Sequence, residues 1–134
     1  MANVVTTQVL VDGPRNAVVK LTGLLDASNE AYNVKVNPAL FSGGPSGFRI
    51  DYIDYSISDG IEVQLFWDAT TPSLIQPISG RGRMGFANFG GLQNSKASGW
   101  TGAIGLTAEQ LPGATFTAGE PFTYSLVLEL VKQY

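Results

Sequence analysis

The last stretch of the chain alternates regularly between large apolar and mostly polar side chains, and this constrains the fold more than any other sequence feature. One face would carry Phe122, Tyr124, Leu126, Leu128 and Leu130, and the other Thr123, Ser125, Val127, Glu129 and Val131. A period of two is typical of a β-strand with one face on a core, whereas a helix would separate these apolar residues around its circumference. The β-branched and aromatic content also favours a strand.

The same alternation occurs on both sides of Asp59-Gly60, in residues 48–57 and 61–67. In the second run, Ile61, Val63, Leu65 and Trp67 share one face. Asp-Gly between two such runs predicts a β-hairpin, because a type I′ turn needs a positive φ at both central residues. We therefore expect these two strands to pair with each other, and Trp67 to lie in the core.

Further short strands are predicted about every ten residues, which is typical of a sandwich or barrel. The candidates are residues 4–11, 17–24, 33–36, 74–79, 83–86 and 101–106. Asp12-Gly13-Pro14 predicts a turn between the first two, and residues 107–111 offer a single helical turn. The fold class predicted is all-β: one antiparallel β-sandwich domain over residues 1–134, jelly-roll-like, with eight or nine short strands. Strand count alone leaves an immunoglobulin-like Greek key open.

The composition argues against catalysis and against nucleic-acid binding. The chain has no Cys and no His, so it can form no disulfide, no Cys/His zinc site and no Ser-His-Asp triad. Only 14% of the residues are charged, and eight Lys and Arg within a net charge of −3 form no phosphate-binding stripe. We therefore expect no enzyme, no catalytic residues, no cofactor, no metal site and no nucleic-acid partner.

Membrane and export signals are not expected either. No apolar run approaches the roughly 18 residues that cross a bilayer. Residues 1–11 lack the basic region and the long apolar region of a secretory signal. The sequence therefore predicts a soluble protein that is made in the cytoplasm and has no membrane partner.

Two arginines stand out in the segment from Gly80 to Gly85, which formally matches G-x-G-x-x-G. A dinucleotide site would need a helix next, and Phe86-Ala87-Asn88 begins a turn-rich run instead, so a glycine-rich turn between strands is favoured. Arg81 and Arg83 would face the same side of a strand. They could bind acidic groups of a partner, or they could protect an edge strand, which is the commoner role.

Aromatic residues near this segment are the other binding candidates. Phe86 and Phe89 follow the arginines, and Trp100 lies between Ser98-Gly99 and Thr101-Gly102, where a core residue is unexpected. An exposed Trp often marks an interface, and it can also stack on a sugar. A Trp lid over one end of the sandwich is an equally good interpretation.

Several blocks of the chain resemble small structural proteins of tailed bacteriophages. They are residues 49–57, residues 63–72, Gly80-Arg81-Gly82, residues 90–94 and the ending at residues 124–132. The likeness covers most of the chain and points to capsid decoration proteins, also called cement proteins. The resemblance implies a compact β protein without catalytic groups, often a homotrimer, which binds neighbouring major capsid proteins on the virion surface after synthesis in the host cytoplasm.

We therefore expect a decoration protein that stabilises the head by binding across capsid subunits, with Arg81, Arg83, Phe86, Phe89 and Trp100 as partner-binding residues. A carbohydrate-binding, lectin-like β module is the first alternative, with Trp100 beside Asn94 in a shallow site. A structural component of the tail or neck is the second alternative.

Overall fold

The computed structural model describes residues 3–26, 28–112 and 121–134, and it is built from two antiparallel sheets. The strands are β1 (Val4–Asp12), β2 (Asn16–Leu25), β3 (Glu30–Val36), β4 (Gly47–Ile57), β5 (Ile61–Trp67), β6 (Ser73–Ile78), β7 (Arg81–Gly85), β8 (Ile104–Gln110) and β9 (Phe122–Gln133). Two short 3-10 turns cover Pro38–Leu40 and Ala87–Phe89. The predicted all-β sandwich is confirmed.

The two sheets interleave along the chain. The five-stranded sheet has the order β1-β2-β9-β4-β7, and the four-stranded sheet has the order β3-β8-β5-β6. Within them β2 pairs with β9, β3 with β8, β4 with β7 and β5 with β6, all antiparallel. From β2 onward, the pairing is therefore symmetric about the connection between β5 and β6, and strands β6 to β9 pair in that order with β5 to β2.

The core lies between the sheets, and alternation places residues in it as predicted. In β5 every second residue from Ile61 to Trp67 is buried, and Trp67 is 5% exposed, which confirms it as a core residue. In β9 the buried set includes Tyr124 and Leu128. Burying each large apolar side chain stabilises the fold by about 1.5–3 kcal/mol. The inward faces of the strands therefore hold the two sheets together.

Of the two predicted Gly-containing reversals, one is correct and one is wrong. Asp12-Gly13 joins β1 and β2 as an antiparallel pair, and the Gly13 N–H donates to the carbonyl of Asn16 at 2.9 Å. The predicted hairpin around Asp59-Gly60 does not form, because β4 and β5 lie in different sheets. Gly60 has the expected positive φ of 98°, but the chain crosses there to the opposite layer.

The missing hairpin has a physical cause. Beyond β4, the Ser58 N–H still donates to the carbonyl of Thr123 at 2.9 Å, so the chain stays beside β9 until it turns. Periodicity shows which face of a strand is buried, but it does not identify the neighbouring strand. Placing β4 and β5 in facing sheets buries both apolar faces against each other.

The helical turn predicted at residues 107–111 is also wrong. Strand β8 begins at Ile104 and continues through Thr107 and Ala108, which pair with Gln64 and Val63 of β5. Ala108 is fully buried and continues the inward series of the strand. Its small side chain weakens the alternation in the sequence, which is why the strand appeared to end early.

Candidate functional site

The two candidate arginines lie on β7, which forms one edge of the five-stranded sheet. They occur on the strand itself, which starts at Arg81 and not at residue 83 as predicted. Arg83 is opposite Asp54 and Arg81 is opposite Ser56, so both face the outer side of the sheet. Arg81 is exposed and available to a partner.

Arg83 is held by its own sheet. Its two terminal nitrogens contact the carboxylates of Asp54 at 2.6 Å and Glu129 at 2.9 Å. The guanidinium carbon lies 4.2 Å from the ring centre of Tyr52. The hydrogen bond to Asp54 raises the pKa of the Arg83 guanidinium. This arrangement covers the outer face of the edge and leaves Arg83 less free than Arg81 for a partner.

Phe86 and Phe89 continue from this edge and form an aromatic pair. Their ring centres are 6.2 Å apart in an edge-on arrangement. Phe86 packs against the core, and its N–H donates to the carbonyl of Asp51 at 2.7 Å. Phe89 is 71% exposed. Phe86 therefore supports the pair from the core, and Phe89 presents an exposed apolar ring.

Trp100 lies in the loop before β8, and this loop is held next to the chain segment that follows β5. The Trp100 N–H donates to the carbonyl of Ala97 at 3.0 Å, and the Lys96 ammonium is 5.4 Å from its ring centre. The loop is attached to the chain after β5, because the Thr101 N–H donates to the carbonyl of Asp68 at 3.1 Å. Trp100 is 38% exposed, so it is a surface residue and not a buried lid over the end of the sandwich.

The structure thus groups four of the five predicted residues along β7 and the turn that follows it. Trp100 is not joined to them by any of these contacts, since it is fixed to its own loop. The predicted proximity of Trp100 and Asn94 is only indirect. Asn94 uses its side-chain oxygen to accept from the Lys96 N–H at 2.8 Å, and Lys96 is the residue that lies over the Trp100 ring.

A second surface was not predicted: an apolar row across the outer face of the four-stranded sheet. Val34, Gly105, Phe66 and Leu74 are directly opposite one another on β3, β8, β5 and β6. Directly opposite residues share a face, and this face is not the core side, since the buried members of β5 alternate with Phe66. We call Tyr32, Val34, Phe66 and Leu74 the apolar row.

The Tyr32 ring covers Gly105, which has no side chain of its own in this line of opposite residues. A Cβ at Gly105 would overlap the Tyr32 ring, so the ring lies directly on the backbone there. Tyr32 also packs edge-on against Phe66, with ring centres 5.6 Å apart. Leu74 is 53% exposed and Val34 38% exposed, so the row presents apolar surface to solvent.

Asp68 fixes the row relative to the loop of Trp100. Its two carboxylate oxygens accept from the Tyr32 hydroxyl at 2.5 Å and from the Thr101 hydroxyl at 2.7 Å. Burial, followed by the bond to Asp68, raises the pKa of Tyr32 above its ordinary value. The Tyr32 ring is therefore oriented, and Trp100 lies next in sequence to one of the two residues that Asp68 holds.

The other end of this face is acidic. Glu62 of β5 is directly opposite Glu109 of β8, and the Gln64 side-chain amide donates to Glu62 at 2.8 Å. The outer face of the four-stranded sheet therefore changes along its strands from an apolar end near Asp68 to a negatively charged end. A sequence signal for the row existed, because Phe66 and Leu74 break the polar alternation of exposed strand faces.

Two polar clusters, each formed around a buried charged side chain, lie near opposite ends of β9. Tyr124 donates to Glu30 at 2.6 Å, and Glu30 is also ion-paired with Lys35. At the other end the fully buried Lys132 ammonium contacts Asp12 at 2.5 Å and the carbonyl of Ser42 at 2.8 Å. These groups satisfy one another inside the fold, so we regard them as structural.

Within residues 3–26, 28–112 and 121–134, no group of three acidic side chains could hold a metal ion. In the same residues, no helix is long and apolar enough to cross a membrane. Comparison with protein-family models and with curated proteins finds no match to the chain.

Proposed function

We propose that this chain is a capsid decoration protein of a tailed bacteriophage, which binds across neighbouring major capsid proteins on the virion surface and stabilises the head. The observation that carries the proposal is the apolar row, which spans all four strands of one sheet on the solvent side. With strands about 4.8 Å apart, such a row is about 14 Å long. The phage assignment itself rests on the sequence resemblance.

The chemistry of the row is that of a protein interface. Interface centres are depleted in charge and enriched in aromatic and large apolar side chains, with polar groups at the rim. Tyr32 and Phe66 supply the aromatic centre, and Leu74 is an exposed aliphatic contact. Trp100 would extend this contact on the side of Asp68.

The β7 edge would supply a second contact. Arg81 is exposed there, and Phe89 presents most of its ring to solvent. These residues belong to the five-stranded sheet and its following turn, whereas the apolar row belongs to the other sheet. Two separate surfaces suit a protein that bridges two capsid subunits, and binding only the assembled shell stabilises that shell.

We further infer a jelly-roll winding for strands β2 to β9. The support is the pairing order, in which β2, β3, β4 and β5 pair with β9, β8, β7 and β6. This is a long antiparallel hairpin rolled into two four-stranded layers, the arrangement expected of two Greek keys in one sandwich. Strand β1 is then an addition to one layer.

The test measures binding to expanded heads assembled from the cognate major capsid protein. We expect the purified chain to co-sediment with these heads and to raise their melting temperature. Leu74→Glu should weaken binding at least about tenfold, because it places a charge in the apolar contact. Leu40→Glu is the matched control, since Leu40 is 79% exposed but lies in the Pro38–Leu40 turn.

Wild-type protein that leaves the heads unbound would contradict the proposal. Equal weakening by Leu74→Glu and Leu40→Glu would contradict the role of the row. A tail or neck location would show as binding to purified tails but not to heads.

The carbohydrate-binding alternative rests on the exposed ring of Trp100. The Lys96 ammonium already lies over that ring, which leaves less of it for a sugar. A glycan array distinguishes the two functions: a lectin would bind a glycan and lose binding in Trp100→Ala, whereas we expect no glycan signal for either protein.

A further inference from the structure

Strand β1 forms the other edge of the five-stranded sheet. Among the residues that the structure describes, β1 pairs only with β2, and all nine of its residues are exposed. An edge strand leaves alternate backbone N–H and C=O groups unpaired, so it can accept another strand. Its large apolar side chains are exposed along the whole length: Val4 58%, Val5 39%, and Val9, Leu10 and Val11 47% each.

The other three edges carry features that oppose strand pairing. Strand β7 has Arg81 and Arg83, and β6 contains Pro77 together with a register shift. Strand β3 has two register shifts in seven residues. Strand β1 contains no Lys, Arg or Pro, and its one irregularity is at Leu10, so residues 4–9 pair regularly with β2.

Charge favours an identical copy as the partner. The only charged residue of β1 is Asp12, and its carboxylate is bound by Lys132 and by the Ser42 N–H. Residues 4–9 carry no charge at all. In a contact between identical copies about a twofold axis, a residue near the axis faces its own equivalent, so a charge there would be opposed by the same charge. An uncharged edge avoids this cost and offers nothing to a charged partner.

We propose that two copies of this chain associate through β1, antiparallel about a twofold axis at Thr7, so that their five-stranded sheets become one. With the axis normal to the sheet, Val5 of one copy is opposite Val9 of the other, Thr6 is opposite Gln8, and the two Thr7 residues face each other. Apolar side chains meet apolar ones and polar meet polar, which is the favourable cross-strand pattern.

The neighbouring register is worse. Centring the axis on Thr6 places Val5 opposite Thr7 and Val4 opposite Gln8, which mixes apolar and polar partners on both faces. Val5 and Val9 are directly opposite Gly23 and Val19 of β2, on the side of the sheet that faces the core. With the axis at Thr7, the core-facing, apolar side of one copy's sheet therefore continues into the same side of the other copy's sheet.

The contact is small. A single strand edge buries less than the roughly 800 Å² per partner of a standard interface, so we expect a weak, concentration-dependent dimer. A twofold pair differs from the trimer that the sequence resemblance implies. The inference does not rest on the capsid-binding proposal, and purified protein without heads tests it.

Cysteine cross-linking tests the register, because the chain has no Cys and any introduced thiol is the sole one. Opposite residues of an antiparallel pair have Cα atoms about 4.5–5.5 Å apart, within the range of a disulfide. Under mild oxidation we expect Thr7→Cys to form a covalent dimer, and a mixture of Thr6→Cys with Gln8→Cys to form the mixed dimer. Leu40→Cys, in the exposed Pro38–Leu40 turn, is the control for chance collisions.

Sedimentation tests the association itself. Wild-type protein should pass from monomer to dimer with rising concentration. Thr7→Lys places two ammonium groups directly opposite each other, and we expect it to raise the dissociation constant at least about tenfold. Leu40→Lys, in the exposed Pro38–Leu40 turn, should leave the constant unchanged, and thermal melting checks that both variants fold.

Three results would overturn the proposal. They are a monomer at every concentration, a Thr7→Lys variant that dimerises as tightly as the wild type, or cross-linking by Thr6→Cys alone in preference to Thr7→Cys.

Discussion

β1 and β7 are the two edges of the same five-stranded sheet, and their outward side chains are opposite in character. β7 presents two arginines, one of which is tied to Asp54 and Glu129. β1 presents valines and a leucine and carries no basic residue. A charged edge opposes pairing with another chain, whereas an apolar and neutral edge permits it.

Glycine–tyrosine contacts lie near both edges of this sheet. Beside β1, Gly23 of β2 lies under the buried ring of Tyr124, and on the other side Gly85 of β7 lies under the more exposed ring of Tyr52. In both places a Cβ would overlap the ring, so glycine is required for the close approach. Gly23 and Tyr124 join β2 to β9, whereas Gly85 and Tyr52 join the edge strand β7 to β4. The two edges themselves differ in the side chains that they present outward.

The largest effect is expected from the buried member of this pair of tyrosines. Tyr124→Phe removes the hydrogen bond to the Glu30 carboxylate, and we expect it to lower the free energy of unfolding by about 1.5–3 kcal/mol. The matched variant Tyr52→Phe changes a half-exposed ring and should cost less than about 0.5 kcal/mol. Urea denaturation at neutral pH measures both, and equal costs would contradict the difference in burial and hydrogen bonding between the two tyrosines.

The same hydroxyl predicts a loss of stability in alkali. Burial, followed by the bond to Glu30, raises the pKa of Tyr124 in the folded protein. Its contribution is complete below the ordinary tyrosine pKa of about 10 and falls as pH rises further, since the unfolded chain ionises first. Wild-type protein should therefore lose more stability between pH 9 and about pH 11 than Tyr124→Phe. Parallel curves for the two proteins would refute this assignment.

A smaller effect is expected at the end of β1, in acid. The hydrogen bond from Lys132 lowers the pKa of Asp12 below its ordinary value. Its contribution is present above the unfolded pKa of about 3.9 and is lost as pH falls through the lower folded value. Asp12→Asn should be less stable than wild type at neutral pH, and the gap should close in acid. Thermal melts across pH give the comparison, and a gap that widens in acid would count against it.

The smallest effect is expected at Arg83. Its ion pairs are half exposed and screened by salt, so Arg83→Gln should change the melting temperature only slightly, and less at high salt. The informative readout is association, because the variant removes a charge that protects the β7 edge. New self-association of Arg83→Gln would show that this arginine acts as edge protection. A large, salt-independent loss of stability would show that it acts mainly within the sheet.

The sequence predicted the strands better than it predicted their partners. Alternation located β4, β5 and β9, because burial of one face leaves a period of two. It did not show that β4 and β5 lie in different sheets, since an Asp-Gly turn suits a hairpin and a crossover alike. Asp12-Gly13 and Asp59-Gly60 look the same locally, and only the positions of the other strands distinguish them.

The site was predicted in part for the same reason. Arg81, Arg83, Phe86 and Phe89 are close in sequence, so one strand and one turn bring them together. The apolar row depends on register between strands far apart in the chain, such as Tyr32 over Gly105. Phe66 and Leu74 stand out in the sequence as apolar residues on exposed faces, but that they belong to one row is seen only once the pairing of β3, β8, β5 and β6 is known.

Amide hydrogen exchange of the protein at low and high concentration tests the contrast between the two edges most directly. The account predicts that amides of residues 4–9 exchange more slowly as concentration rises, while those of β7 keep the same rates. Concentration-independent exchange along β1, or slowing that is confined to β7, would contradict it.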